Sequence, residues 1–244
     1  MVLFEKKFIL FDLHDKETNI LKKIQILPSI LGTDHDALPL VCEDFEKAGA
    51  DQIHIDVMDG IFVQNVSFSP ATVQSCKLSS SLPLNVHLMV NDPSDLISDY
   101  VAAGADTIHV HIESDCDIYA SLKKIKEGKK IAGITINPES SIETILPLID
   151  KKIVDEVLIM TVNPGFGGQE YMPEVESKIS IIRKRFPHIN ITVDGGIDDI
   201  SIETAAAKGA NRFVVGSYLF SLKNIKSGID NLRRIAEENF KYVY

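Results

Sequence analysis

Polar and apolar residues alternate through His54-Ile55-Asp56-Val57-Met58, ahead of Asp59-Gly60. Successive side chains on a strand point to opposite faces. His54, Asp56 and Met58 therefore share one face, while Ile55 and Val57 share the other, which Ile53 extends. Asp59-Gly60 reads as the turn that ends the strand. The alternation fits a half-buried strand with one solvated face. It equally fits half of a metal site or half of an acid/base pair.

The same reading along the chain predicts strands over 24–29, 52–57, 84–89, 107–111, 130–136, 156–160, 190–194 and 212–215. Helical spacing predicts helices over 38–48, 70–77, 95–103, 118–127, 142–151, 174–185, 201–208 and 225–239, with a short turn of helix over 218–222. Gly49, Gly104, Gly128 and Gly209 stand where C-terminal stops belong. Pro147 is expected to kink the helix that contains it. Strand and helix alternate strictly, which implies a parallel sheet. Eight such units in a chain of 244 residues predict a single-domain α/β protein, a (β/α)8 TIM barrel. The barrel is expected over 23–244, behind an N-terminal extension over 1–22. An open doubly wound sheet is the alternative, but no G-x-G-x-x-G follows the first strand.

Composition narrows the function classes. A hydrophobic share of 45% is enough for a large core, and a net charge of −10 disfavours nonspecific contact with nucleic acid or anionic membrane. No apolar run approaches the roughly 20 residues of a membrane helix. The Phe8–Phe11 patch is too short for a secretory signal, so a cytoplasmic protein is expected. Cys42, Cys76 and Cys116 are scattered without paired spacing, which argues against disulfides and thiolate metal sites.

In a barrel of this kind, inward residues at the C-terminal strand ends build the active site. Those residues are Ser29; His54, Asp56 and Met58; Asn85, His87 and Met89; His109 and His111; and Asp194. Two histidines and two carboxylates from three strands converge on one mouth. Imidazole with carboxylate suits one divalent ion such as zinc, ferrous iron, cobalt or manganese. His109 and His111 are assigned a supporting or core role, because the other four already make a site. Glycines then recur in successive loops: Gly165-Phe166-Gly167-Gly168, Gly195-Gly196 and Gly216-Ser217. Backbone N–H groups approach an anion closely at glycine. The last two loops are the usual phosphate site of the architecture.

Five stretches together resemble the ribulose-phosphate 3-epimerase family: 54–60, 85–89, 160–169, 193–197 and 216–217. The resemblance runs in order from about Pro28 to Phe220. It implies an isomerase of the pentose phosphate pathway that interconverts D-ribulose 5-phosphate and D-xylulose 5-phosphate. It implies metal ligation by His54, Asp56, His87 and Asp194. It implies substrate contacts from Ser29, His87, Asp194 and Gly165, Phe166, Gly167 and Gly168. The phosphate would lie on Gly195, Gly196, Gly216 and Ser217, with Met58, Met89 and Met160 as a soft wall. Gly32-Thr33 and Gln64 depart from the family pattern, and residues 1–22 have no counterpart in it.

The chemistry is coherent with these residues. Inverting a carbon beside a carbonyl needs a base on one face and an acid on the other. Asp56 and Asp194 are expected to be that catalytic pair, one protonated and one ionised, with the metal stabilising the enediolate. The expected partner is a small-molecule sugar phosphate, acted on by a homo-oligomer, without nucleic acid or membrane. A 3-epimerase of a hexulose 6-phosphate, such as allulose 6-phosphate, is the nearest rival. A barrel lyase or decarboxylase would need a lysine among the inward residues, and none is there. A scaffold protein would not need both carboxylates.

Overall fold

A computed structural model describes residues 23–240. The extension expected over 1–22 lies outside the described residues. The strands are β1 (Gln25–Pro28), β2 (Ile53–Met58), β3 (Leu84–Met89), β4 (Thr107–His111), β5 (Ile131–Ile136), β6 (Glu156–Met160), β7 (Asn190–Asp194) and β8 (Arg212–Val215). All pair in parallel, in the order β1-β8-β7-β6-β5-β4-β3-β2. A parallel bridge between Ser29 and His54 joins the two ends, and the Ile30 N–H donates to the His54 carbonyl at 3.1 Å. The sheet thereby closes into a (β/α)8 barrel.

The helices around it are α1 (Leu38–Ala48), α2 (Pro70–Ser79), α3 (Leu96–Ala103), α4 (Ile118–Glu127), α5 (Leu146–Asp150), α6 (Glu176–Arg185), α7 (Ser201–Lys208), α8 (Ser217–Ser221) and α9 (Ile225–Asn239). In α1 the buried positions are Leu38, Cys42, Phe45 and Ala48, the spacing of one helical face. They share one core with Ile53, Ile55 and Val57 from the outer face of β2. Asp117 and Asn224 cap α4 and α9 by accepting from the Ala120 and Ser227 N–H groups.

Every residue of β2 is buried, so its polar face is not solvated. It faces the barrel interior instead. Parallel strands covered on both sides usually read as continuous apolar runs. Here the inner face is largely polar, which is why the strands alternate in sequence. Deep in the barrel, Glu156 pairs with Arg212 and accepts from the Thr192 hydroxyl. His109 Nε2 stands 3.4 Å from Glu156 Oε1 and 3.3 Å from the Asn85 amide nitrogen. Gly133 makes room for that imidazole, since a Cβ there would lie 2.1 Å from His109 Nδ1.

The expected kinked helix over 142–151 is not one helix. Ile142–Thr144 forms a 3₁₀ turn, and α5 starts afresh at Leu146 with Pro147 in its first turn. A proline there loses no intrahelical hydrogen bond, so nothing kinks. Cys42 and Cys76 are buried free thiols, and Cys116 is partly buried. Among the described residues, no helix is long and apolar enough to cross a membrane.

Candidate active site

β2, β3 and β7 deliver four donor groups to one point. His54 and Asp56 lie two apart on the inner face of β2, and Asp56 stands in register with His87 of β3. Asp194 ends β7, three places round the ring from β2. Asp56 Oδ1 lies 3.1 Å from both His54 Nε2 and His87 Nδ1. Asp194 Oδ2 lies 3.4 Å from His54 Nε2 and 3.5 Å from His87 Nδ1. The four donor atoms all fall within 4.8 Å of one another. Two imidazole nitrogens and two carboxylate oxygens so placed fit a divalent transition ion, and this group could hold one.

Each member is held from behind. The Ser29 hydroxyl donates to Asp56 Oδ2 at 3.0 Å and accepts from the Leu31 N–H at 3.1 Å. His54 Nδ1 lies 3.0 Å from Asn85 Oδ1. His87 Nε2 lies 2.8 Å from His111 Nε2, and His111 Nδ1 lies 3.0 Å from Glu113 Oε2.

Burial alone would depress His54, but the charges of Asp56 and Asp194 outweigh it and raise the ring to about 10. His87 is raised as well, since hydrogen bonds to Asp194 and Asp56 outweigh its burial. Burial would raise Asp56 and Asp194, yet the two histidines hold both carboxyls below the usual carboxylate range. These four residues by themselves therefore put protons on imidazoles. Each carboxylate faces two rings as well as its twin. His111 behaves oppositely: burial, only partly offset by Glu113, pushes it down to about 4.

A cavity of about 480 Å³ opens over the cluster. Asp56 and Asp194 reach it, with side-chain exposures of 5% and 13%, whereas His54 and His87 lie fully buried behind them. Met58, Met89 and Met160 line it, as do Ser29, Gly165, Phe166, Gly167 and Gly168. Gly195, Gly196, Gly216 and Ser217 line it too. Among the described residues, no lysine or arginine does. Gly196 has φ +63°, and a Cβ there would meet the Tyr171 backbone nitrogen at 2.5 Å, so the strand 7 loop packs tightly under the cavity. The Asn65 amide donates to the Gly165 carbonyl at 3.3 Å, tying the strand 2 loop to the strand 6 loop.

Residues 25–220 match the ribulose-phosphate 3 epimerase family model. The chain belongs to that family. A ribulose-phosphate 3-epimerase, cytoplasmic isoform, from Oryza sativa subsp. japonica is 37% identical over 215 residues, spanning 87% of this chain and 94% of its own. The ribulose-phosphate 3-epimerase of Bacillus subtilis is 38% identical over 215 residues, spanning 86% and 98%. Among solved structures, 3-keto-L-gulonate-6-phosphate decarboxylase from Vibrio cholerae superposes with a TM-score of 0.68 at 15% identity, covering 90% of this chain and 100% of that one. That last likeness concerns the fold alone. Members of the ribulose-phosphate 3-epimerase family are isomerases, and this chain is one.

Measured against the epimerase motifs, the inward residues of β2, β3 and β7 meet as the alternation implied. His87 is the exception among the anticipated substrate contacts, because it lies behind the carboxylates and lines no part of the cavity. His109 belongs to the Glu156 network below, and His111 backs His87. Glu113 was not singled out from sequence. Its spacing of two from His111, just past the strand, was the available signal.

Proposed function

We propose that this chain catalyses the reversible epimerisation of D-ribulose 5-phosphate to D-xylulose 5-phosphate at C3. The observation that carries the reading is the convergence of Asp56 and Asp194 at the floor of one cavity, from strands three places apart in the ring. In this reading the two carboxyls address opposite faces of the substrate. One removes the C3 proton, and the other delivers a proton from the far side. His54, Asp56, His87 and Asp194 would hold one divalent ion such as zinc, ferrous iron, cobalt or manganese, which would supply Lewis-acid stabilisation of negative charge.

The residues around the pair support this. Ser29 holds Asp56 Oδ2, so Oδ1 keeps a fixed direction. Met58, Met89 and Met160 line the cavity with uncharged, polarisable sulfur, which does not compete for the proton that the aspartates move. The phosphate is assigned to backbone N–H groups and Ser217 at the Gly195-Gly196 and Gly216-Ser217 loops. Phe166 and the 165–168 loop line the cavity and are assigned to the substrate's sugar portion.

A coupled assay on D-ribulose 5-phosphate and allulose 6-phosphate, before and after chelation, tests the proposal. Turnover of the pentulose that chelation abolishes and a divalent ion restores is expected. Preference for the hexulose would move the substrate, and full turnover after rigorous chelation would remove the ion.

A further inference from the structure

The two histidines of the cluster are supported differently. His54 presents Nε2 to the cluster, and its Nδ1 meets the carbonyl oxygen of Asn85, an acceptor in one fixed direction. His87 presents Nδ1, and its Nε2 meets another imidazole, His111, at 2.8 Å. The ring centroids are 4.9 Å apart and the planes 22° from parallel. The two nitrogens therefore point at each other along the line joining the rings.

A contact between two imidazole nitrogens holds one proton, and either ring can own it. If His111 owned it, a neutral His87 would carry its proton on Nδ1, facing Asp56 and Asp194, and would have no lone pair to offer there. Something beyond His111 must break the symmetry. Glu113 does so. Its Oε2 lies 3.0 Å from His111 Nδ1, and an ionised carboxylate accepts only. The His111 proton is thus drawn to Nδ1, and His111 Nε2 is left as an acceptor. His87 Nε2 must then donate, which leaves Nδ1 free to bind.

The far end of the chain is well anchored. Glu113 Oε1 accepts from the Asn137 N–H at 2.9 Å. The Lys178 ammonium donates to the Asn137, Pro138 and Ser140 carbonyls at 2.8, 2.7 and 2.7 Å, gripping the loop that carries that N–H. The Phe62 ring covers His111, with centroids 4.6 Å apart. None of His111, Glu113 or Lys178 lines the cavity.

We propose that Glu113 and His111 form a positioning relay that sets the tautomer of His87 and aims its Nδ1 lone pair into the four-donor cluster. The inference rests on reading that cluster as a cation site. His111 and Glu113 touch neither the cluster centre nor the cavity, so they act only through His87.

The test uses the full chain with Co²⁺ and Zn²⁺ as probes. Chelator competition gives the Co²⁺ affinity of the parent, Glu113→Gln and His111→Phe. The Zn²⁺-loaded proteins give the His87 tautomer from imidazole ¹⁵N shifts. Removal of a partner behind a ligating histidine typically weakens metal affinity about 10- to 100-fold, and a loss of that size is expected in both variants. The parent should show His87 protonated at Nε2 and His111 at Nδ1, with the His87 pattern altered in Glu113→Gln. If His111→Phe does not fold, Glu113→Gln decides. Parent-like affinity, or weaker binding with the His87 tautomer unchanged, would overturn the relay and leave the cation site standing. A parent that binds neither ion would overturn both.

Discussion

Ser29 donates its hydroxyl hydrogen to Asp56 Oδ2 at 3.0 Å across the seam where the barrel closes. The same serine bridges His54 through its backbone, so ring closure and carboxylate orientation depend on one residue. A hydrogen bond to a buried charge contributes about 1.5–3 kcal/mol. Ser29→Ala keeps the backbone bridge but should lower the melting point by about 2–4 °C per kcal/mol lost, and lower kcat by about tenfold or more. Steady-state kinetics beside a melting curve checks this, and an unchanged kcat would show that Asp56 needs no such partner.

Uptake of a divalent ion should depend on pH in a definite direction. His54 is raised to about 10 and His87 is raised with it, by the two carboxylates they face. Charged pairing is then fully present below the ordinary imidazole value of 6.5 and is lost as pH rises through about 10. An entering ion must displace those protons, so its affinity should climb with pH over that window. Calorimetry in buffers of different ionisation enthalpy should count up to two protons released, one per histidine. Proton-neutral binding would contradict the electrostatics.

The strand 8 loop offers a probe of the proposed phosphate position. A Cβ at Gly216 would come no nearer than 3.9 Å to Ser29, whereas at Gly196 it would collide with the Tyr171 backbone. Gly216→Val should raise KM by about tenfold or more, a loss of roughly 1.4 kcal/mol in binding, with kcat and fold retained. Inhibition by inorganic phosphate should weaken in parallel. A normal KM would place the phosphate elsewhere.

Acid stability should report the buried pair beneath the site. Burial would raise Glu156, but the Arg212 charge, helped by His109 and Thr192, outweighs it and holds the carboxyl at about 2 against an ordinary value of 4.5. A depressed folded value contributes stability that is present above 4.5 and lost as pH falls toward about 2. Glu156→Gln leaves Arg212 buried without its counter-charge, which typically costs about 3–5 kcal/mol. It should also flatten the acid limb of the melting-point profile. A profile identical to that of the parent would deny the pair its role.

Much of this site was legible because the barrel interior is polar. His54, Asp56, His87 and Asp194 stand out on strands whose other faces are aliphatic, and strict alternation places each on the inner face. What escaped needed three dimensions. Ser29 reaches Asp56 only once the ring closes across 27 residues of chain. Glu113 sits just outside β4, and its other oxygen is satisfied by a backbone group from the next loop. The 142–151 segment carried helical spacing, but Pro147 fits a first turn better than an interior.

Asp56 and Asp194 are proposed to serve opposite faces of one carbon. Exchange in deuterated water tests it most directly, with Asp56→Asn and Asp194→Asn each shown to retain the divalent ion. The parent should place deuterium at C3 of the product. Asp194→Asn should exchange the C3 proton of one epimer without forming the other, and Asp56→Asn should do the reverse. Near-parental epimerisation by both ion-loaded variants, or exchange from the same epimer in each, would contradict that assignment.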